Sequence, residues 1–174
     1  MKFIYLPGNG KVNEGELHAF VRMLEDHNQT VYGHQYLHWA DESLSFDEQN
    51  ELDVLHEEFN DDEYVILGKS IGTYVAVKVA ELLKEKVRFI ILMGIPTGIG
   101  EDKTLQYSKV LSEIDCPIYV IQNDKDPYGA LDEMRKVMDG VDYNEIIMEA
   151  DNHIYMYAEE VENILLNAGI LENV

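Results

Sequence analysis

The sequence has little cysteine and few basic residues, and it lacks long hydrophobic runs. Its single cysteine, Cys116, cannot form a disulfide within the chain, which excludes a fold held together by internal disulfides. Lys and Arg number 13 against 34 Asp and Glu, and the formal net charge of -21 predicts repulsion of nucleic acid and of anionic lipid. No apolar stretch approaches the length needed to span a bilayer. We therefore expect neither nucleic acid nor a membrane as a partner.

The chain is long and apolar enough for one hydrophobic core. It has 174 residues, of which 46% are hydrophobic, and this suits one domain over residues 1–174 better than two. Neither an internal repeat nor a linker rich in proline and glycine divides it. The apolar start of the chain is interrupted at Pro7 and Gly8, too early for a signal peptide. The sequence predicts a single cytoplasmic domain.

Short apolar segments of strand length alternate with segments whose apolar residues recur every three or four positions. This alternation predicts an α/β protein, a three-layer α/β/α sandwich with a mostly parallel sheet. Ligands of such sheets bind beyond the carboxyl ends of the strands, so functional residues are expected in the loops that follow them. Segment 30–39 is predicted to be a further extended segment near the sheet edge. The predicted strands are 3–6, 64–67, 87–93, 117–122 and 143–148, and the predicted helices are 14–27, 46–59, 73–86, 128–138 and 155–168.

One serine lies in the turn between the predicted strand 64–67 and the helix that begins at Thr73. The turn has the sequence Gly68-Lys69-Ser70-Ile71-Gly72, which fits the GxSxG motif of a nucleophile elbow. Glycine is required two residues before and two residues after the serine because larger side chains would collide with the flanking strand and helix. Ser70 is therefore the predicted nucleophile, and the alternative is a serine that only caps the helix.

Two glycine-containing segments could also be compared with phosphate-binding motifs. The sequence Gly68-Lys69-Ser70 ends like the loop GxxxxGK[ST], but Glu63 occupies the position where that loop needs its first glycine. Segment 8–13 has Asn13 where GxGxxG needs its third glycine. We predict that the protein uses no nucleotide cofactor.

A serine nucleophile needs a histidine to take its proton and usually a carboxylate to orient that histidine. His153 follows the last predicted strand, and it is the only one of six histidines that comes after Ser70. Two aspartates, Asp124 and Asp126, follow the strand 117–122. We prefer Asp126 as the acid and retain Asp124 as the alternative.

With nucleophile, acid and histidine in the order Ser70, Asp126 and His153, the chain resembles a small serine hydrolase of the α/β-hydrolase fold. The resemblance covers nearly the whole chain. The family's acid often follows a strand in a pattern similar to HGxxDxxV, which places it at Asp126, although Gln122 and Asn123 depart from the pattern.

The same resemblance implies two backbone donors for the oxyanion of the tetrahedral intermediate. One is the N–H of Ile71, directly after the nucleophile. The other is the N–H of Asn9, in the loop after the first strand, where relatives carry HGxG and this chain carries Pro7-Gly8-Asn9-Gly10. Pro7 occupies the position of the family's histidine.

The resemblance also implies an activity. Between the predicted strands 87–93 and 117–122, segment 94–116 has room only for a loop and one short helix, so a large lid is excluded. A solvent-open pocket suits hydrolysis of a small ester, thioester or related acyl compound through an acyl-enzyme, with no cofactor and no metal. A non-catalytic binding protein on the same scaffold is the alternative. The expected pocket residues are Gly8, Lys69, Ile95, Pro96 and Tyr128.

Two histidines four residues apart, His34 and His38, could share one face of the extended segment 30–39 and suggest a metal site. The acidic residues nearby, Asp41 and Glu42, do not stand out in so acidic a chain. A histidine pair without metal is therefore the preferred interpretation.

Overall fold

A six-stranded parallel sheet forms the centre of the protein. The computed structural model describes residues 1–41 and 43–172. The strands are β1 (Lys2–Leu6), β2 (Thr30–Gly33), β3 (Tyr64–Lys69), β4 (Val87–Met93), β5 (Ile118–Asn123) and β6 (Asn144–Met148). They lie in the order β2-β1-β3-β4-β5-β6, and every neighbouring pair is parallel.

Helices cover both faces of this sheet. The helices are α1 (Glu14–Asp26), α2 (Leu37–Ala40), α3 (Glu48–Glu57), α4 (Ile71–Leu83), α5 (Glu101–Leu111), α6 (Leu131–Val137) and α7 (Ala158–Asn167). On one face α1 packs against α7, and on the other α4 packs against α3 and α5, with α6 beside α5. The predicted three-layer sandwich is confirmed, and the segment between β4 and β5 holds a single helix and no large lid.

The core is most continuous at the centre of the sheet. All six residues of β3 are buried, and six of the seven in β4, because helices shield these strands on both sides. The outer strands β2 and β6 consist of exposed and half-buried residues. Across the parts of the chain that the structure describes, no helix is both long and apolar enough to cross a membrane.

The prediction of an extended segment over 30–39 is wrong in its second half. Strand β2 ends at Gly33, and α2 follows after three residues. Tyr36 and Trp39 explain the difference. In a strand these two side chains would point to opposite faces, whereas a helical turn brings them to one side. Both are buried, and their rings meet edge to face with centroids 5.6 Å apart.

Candidate active site

Ser70 lies in the tight turn between β3 and α4. Its backbone has φ 57° and ψ -125°, a conformation that residues other than glycine adopt rarely and that is concentrated at functional sites. The turn is held by the Ser70 N–H, which donates to the Met93 carbonyl at 2.9 Å, and by Thr73 Oγ1, which donates to the Ser70 carbonyl at 2.7 Å. Ser70 occupies the N-cap position of α4, but within the described chain its side chain makes no capping hydrogen bond.

The two glycines of the turn are required by close backbone contacts. A Cβ atom on Gly68 would lie 2.6 Å from the Gly72 carbonyl oxygen. One on Gly72 would lie 2.0 Å from the carbonyl oxygen of Leu6 in β1. Neither contact can be relieved by rotating a side chain, so only glycine lets α4 begin this close to the sheet.

The structure brings Ser70, His153 and Asp126 into one hydrogen-bonded chain. His153 Nε2 lies 2.7 Å from Ser70 Oγ, and His153 Nδ1 lies 2.7 Å from Asp126 Oδ2. A carboxylate can only accept, so Nδ1 carries the hydrogen and Nε2 of the neutral ring is left to accept the serine proton. The His153 side chain is 14% exposed and the Asp126 side chain 0%, which leaves the histidine open to the cavity above the buried acid.

Asp126 is held as an ionised acceptor. Its Oδ2 also accepts a hydrogen bond from the Tyr155 hydroxyl at 2.6 Å, and its Oδ1 accepts one from the Tyr128 N–H at 2.8 Å. Burial acts to raise the pKa of Asp126, but the hydrogen bonds from His153, Tyr155 and the Tyr128 N–H outweigh it, and the pKa lies below its ordinary value. The carboxylate is therefore charged at neutral pH.

Asp124 has a different position and different partners. Its Oδ1 accepts a hydrogen bond from the Ala150 N–H at 3.0 Å, and its own N–H donates to the Met148 carbonyl at 2.9 Å. These contacts join the loop after β5 to the end of β6. Asp126, and not Asp124, contacts His153 in this structure.

Two buried amide side chains, Gln122 and Asn123, connect the loops of the site. In the sequence they are only departures from the HGxxDxxV pattern. Asn123 Nδ2 donates to the Asn152 carbonyl at 2.8 Å, and Asn123 Oδ1 accepts from the Tyr157 hydroxyl at 2.7 Å. Gln122 Oε1 accepts from the Ile95 N–H at 3.0 Å. The two side chains thus hold the loops after β4 and β6 against β5. Their only sequence signal was a polar pair at the end of an apolar strand.

Segment 30–39, whose sequence predicts an extended conformation, supports the loop after β1 that contains Asn9. Trp39 Nε1 and His38 Nε2 each donate to the Asn9 carbonyl at 2.7 Å. The Tyr36 hydroxyl donates to the Pro7 carbonyl at 2.8 Å. These contacts fix the Pro7 and Asn9 carbonyl groups of the loop.

A second set of polar contacts supports this loop. Asn13 Nδ2 donates to the Gly10 carbonyl at 2.6 Å, and Asn13 Oδ1 accepts from Lys69 Nζ at 2.8 Å. Glu16 Oε2 lies 4.0 Å from Lys69 Nζ, and Glu16 Oε1 accepts from the Tyr5 hydroxyl at 2.6 Å. Lys69, which the sequence predicts to line the pocket, therefore also belongs to a series of buried polar contacts that runs from Tyr5 to the Asn9 loop.

In the described part of the chain, His34 and His38 contact different protein groups and do not come together as a metal site. His34 is fully buried and pairs with Glu51 Oε2 at 2.9 Å, whereas His38 contacts the Asn9 carbonyl. In residues 1–41 and 43–172 no group of three or more His, Cys, Asp or Glu side chains could hold a metal ion. Glu42 lies outside the described residues.

Asn9 and Ile71, the expected oxyanion donors, both line the same cavity as Ser70. Ile71 is the first residue of α4, where backbone N–H groups lack partners within the helix and the helix dipole is positive. Among the hydrogen bonds of the described residues, none uses the N–H of Asn9 or of Ile71. Both groups therefore remain available to a ligand.

The cavity over Ser70 has a volume of about 670 Å³ and opens to solvent. Of the five residues predicted to form the pocket, Lys69, Pro96 and Tyr128 line this cavity, whereas Gly8 and Ile95 do not. Gly8 is buried beneath the Asn13 side chain, and Ile95 is 0% exposed because it belongs to the core. The lining residues are Asn9, Gly10, Val12, Asn13, Phe46, Lys69, Ser70, Ile71, Pro96, Ile99, Tyr128 and His153.

Residues 34–163 match the alpha/beta hydrolase domain family. This match includes Ser70, Asp126 and His153, but it begins after the Asn9 loop. No curated protein matches the sequence.

Solved structures share the fold at low sequence identity. Mouse alpha/beta hydrolase domain-containing protein 10 has a TM-score of 0.71 and 14% identity, over 97% of this chain and 88% of that one. A member of the a/b serine hydrolases without lid from Xanthomonas campestris has a TM-score of 0.69 and 17% identity, over 99% and 83% of the two chains. An alpha-beta serine hydrolase homologue from Coxiella burnetii has a TM-score of 0.63 and 14% identity, over 96% and 83%.

Proposed function

Because the chain belongs to the alpha/beta hydrolase family, we propose that it is a serine hydrolase that cleaves a small ester, thioester or related acyl compound. The observation that carries the proposal is the continuous chain from Ser70 Oγ through His153 to Asp126, with both contacts at 2.7 Å. A helix cap or a packing serine would need neither partner. The strained backbone of Ser70 supports the same conclusion.

In the proposed first half-reaction, Ser70 Oγ attacks the acyl carbonyl while His153 Nε2 takes its proton. The negative charge that develops on the carbonyl oxygen is stabilised by the N–H groups of Ile71 and Asn9, and one such donor is worth about 100-fold to 1000-fold in kcat. Asp126 stabilises the imidazolium. The C–O or C–S bond to the leaving group then breaks, and the proton on His153 Nε2 passes to the departing alkoxide or thiolate.

The second half-reaction releases the acyl group from Ser70. His153 Nε2 takes a proton from a water molecule, whose oxygen attacks the acyl-enzyme carbonyl. The tetrahedral intermediate collapses, the bond to Ser70 Oγ breaks, and His153 returns the proton to the serine. The products are a carboxylic acid and the free enzyme. The open cavity and the absence of a large lid support a small, water-soluble substrate.

The test is labelling of the purified protein by a fluorophosphonate, with the modified residue located by peptide mass spectrometry. Stoichiometric phosphonylation at Ser70, abolished in Ser70→Ala and kept in Ser112→Ala, is the expected result. Ser112 follows α5 and lies away from the cavity, so it controls for the loss of a hydroxyl elsewhere. A folded wild-type protein that is not labelled at Ser70 would contradict the proposal and favour a non-catalytic binding protein.

A further inference from the structure

The cavity over Ser70 differs in charge from the rest of the molecule. The chain has 34 acidic residues and a formal net charge of -21. Yet among the described residues no aspartate or glutamate lines the cavity, and Lys69 is its only lysine or arginine. A small anion approaching this protein is repelled over most of the surface, so a cavity that excludes acidic side chains and contains a cation is a local exception.

Lys69 is placed to contact a ligand and not only to pair within the protein. Its side chain is 7% exposed, next to the nucleophile in sequence and on the wall of the same cavity. Over residues 1–41 and 43–172, Asn13 Oδ1 is the one acceptor within hydrogen-bonding distance of Nζ, at 2.8 Å. An ammonium group has three N–H donors, so two of them have no acceptor in the described protein.

Glu16 does not accept a hydrogen bond from either of the two remaining Lys69 donors. Its nearest oxygen is 4.0 Å from Lys69 Nζ, beyond a hydrogen bond, and its other oxygen accepts from the Tyr5 hydroxyl. Burial raises the pKa of Glu16, against the influence of Lys69 and Tyr5. Burial likewise lowers the pKa of Lys69, and Glu16 and Asp126 oppose that shift without cancelling it.

Apolar side chains form much of the remaining wall. Phe46, Ile71, Pro96 and Ile99 line the cavity together with the ring of Tyr128. A ligand that suits both features has a short hydrocarbon body and one negatively charged end. A carboxylate is such an end, because it accepts charge-assisted hydrogen bonds from an ammonium group.

We propose that Lys69 is a specificity-determining residue that binds a carboxylate of the substrate, so that the preferred substrates are esters or thioesters of short dicarboxylic acids. This inference rests on the proposed serine hydrolase function and names its substrate class. The reacting carbonyl lies at Ser70, and the free carboxylate at the other end of the acyl chain contacts Lys69 Nζ.

The experiment compares p-nitrophenyl monoesters of succinate, glutarate and adipate with the neutral butyrate, valerate and hexanoate esters of equal carbon number. Rates measured with Ser70→Ala are subtracted, since a free carboxylate also promotes spontaneous hydrolysis. For at least one chain length we expect kcat/KM to be tenfold or more higher for the anionic ester. Lys69→Met is expected to lower the ratio of kcat/KM for the anionic ester to kcat/KM for the neutral ester at least tenfold. The substitution also removes the Lys69–Asn13 hydrogen bond, but a loss from that source affects both esters and cancels in the ratio. Lys125→Met, a change at an exposed lysine outside the cavity, is expected to keep the ratio.

Binding provides a second measurement that does not depend on turnover or on the folding of Lys69→Met. Calorimetric titration of Ser70→Ala with monomethyl glutarate and with methyl valerate, two esters that differ by the free carboxylate, should show at least tenfold tighter binding of monomethyl glutarate. Equal binding of the two esters, or an anionic-to-neutral ratio of kcat/KM at or below one for every ester pair, overturns the inference. Labelling of Ser70 by a fluorophosphonate with no anionic preference rejects the carboxylate site alone, whereas absence of labelling rejects the hydrolase.

Discussion

Tyr155 and His153 share one oxygen atom of Asp126. The Tyr155 hydroxyl donates to Oδ2 at 2.6 Å, and His153 Nδ1–H donates to the same oxygen at 2.7 Å. Burial and the neighbouring Asp126 carboxylate raise the pKa of Tyr155, so its hydroxyl stays protonated and remains a donor. The carboxylate that contacts His153 is therefore also held by a tyrosine two residues further along the same loop.

We expect Tyr155→Phe to lower kcat about tenfold while KM changes little. The substitution removes one charge-assisted hydrogen bond from Asp126, and such a bond contributes about 1.5–3 kcal/mol. It also leaves the Asn123 N–H, 3.0 Å from the tyrosine oxygen, without its acceptor. Steady-state hydrolysis of an activated ester measures the effect. Tyr157→Phe is the matched control, because it removes a hydroxyl that contacts Asn123 and not Asp126; equal losses in both variants would show that Asp126 is not involved.

The two aspartates of the loop after β5 should differ sharply on substitution. Asp126→Asn is expected to lower kcat by about a thousandfold or more, because an amide no longer holds the histidine tautomer or stabilises the imidazolium. Asp124→Asn is expected to cost less than about tenfold, since Asp124 contacts Ala150 and not His153. Ester hydrolysis by the two folded variants decides this, and comparable losses would reassign the acid.

Asp126 should also make a pH-dependent contribution to stability. Its pKa is lowered in the folded protein, so folding favours the ionised carboxylate, and the stabilisation is present above the unfolded pKa of about 3.9. It is lost as pH falls through the lower folded pKa. The difference in free energy of unfolding between wild type and Asp126→Asn should hold from pH 7 to about 5 and narrow below about 4. Denaturant titrations at several pH values measure it, and a difference that widens on acidification would refute the assignment.

The close approach of α4 to β1 makes Gly72 intolerant of any side chain. A Cβ there would lie 2.0 Å from the Leu6 carbonyl oxygen, so Gly72→Ala should lower the free energy of unfolding by more than about 3 kcal/mol or prevent folding. Gly98→Ala is the control, since a Cβ at Gly98 meets no described atom within 4 Å, and its effect should stay within about 0.5 kcal/mol. Denaturation followed by fluorescence of Trp39, the single tryptophan, reports both. A stable Gly72→Ala protein would contradict this packing.

Much of the site followed from short stretches of sequence. The GxSxG turn between a strand and a helix depends on five adjacent residues, and its steric requirement is local, so Ser70 could be predicted from them. The order of Asp126 and His153 along the chain could be predicted too, because parallel strands place their carboxyl ends at one edge of the sheet. Boundaries of the helices moved by a few residues, since caps and fraying depend on contacts beyond the helix.

The tertiary structure decided what depends on contacts between distant residues. Segment 30–39 has the alternating aromatics of a strand, yet burial of Tyr36 and Trp39 on one side turns its second half into a helix that braces the Asn9 loop, about 30 residues earlier. The burial of Lys69 beside Asn13, 56 residues away, is likewise invisible in its sequence neighbours. Sequence alone predicted the order of elements and the three residues, Ser70, His153 and Asp126, that the structure joins by hydrogen bonds, because those depend on local patterns and topology. Three-dimensional packing decided which residues support the Asn9 loop, why Gly8 and Ile95 do not line the cavity, and why Lys69 does. Each of these depends on which side chains fill the space between elements.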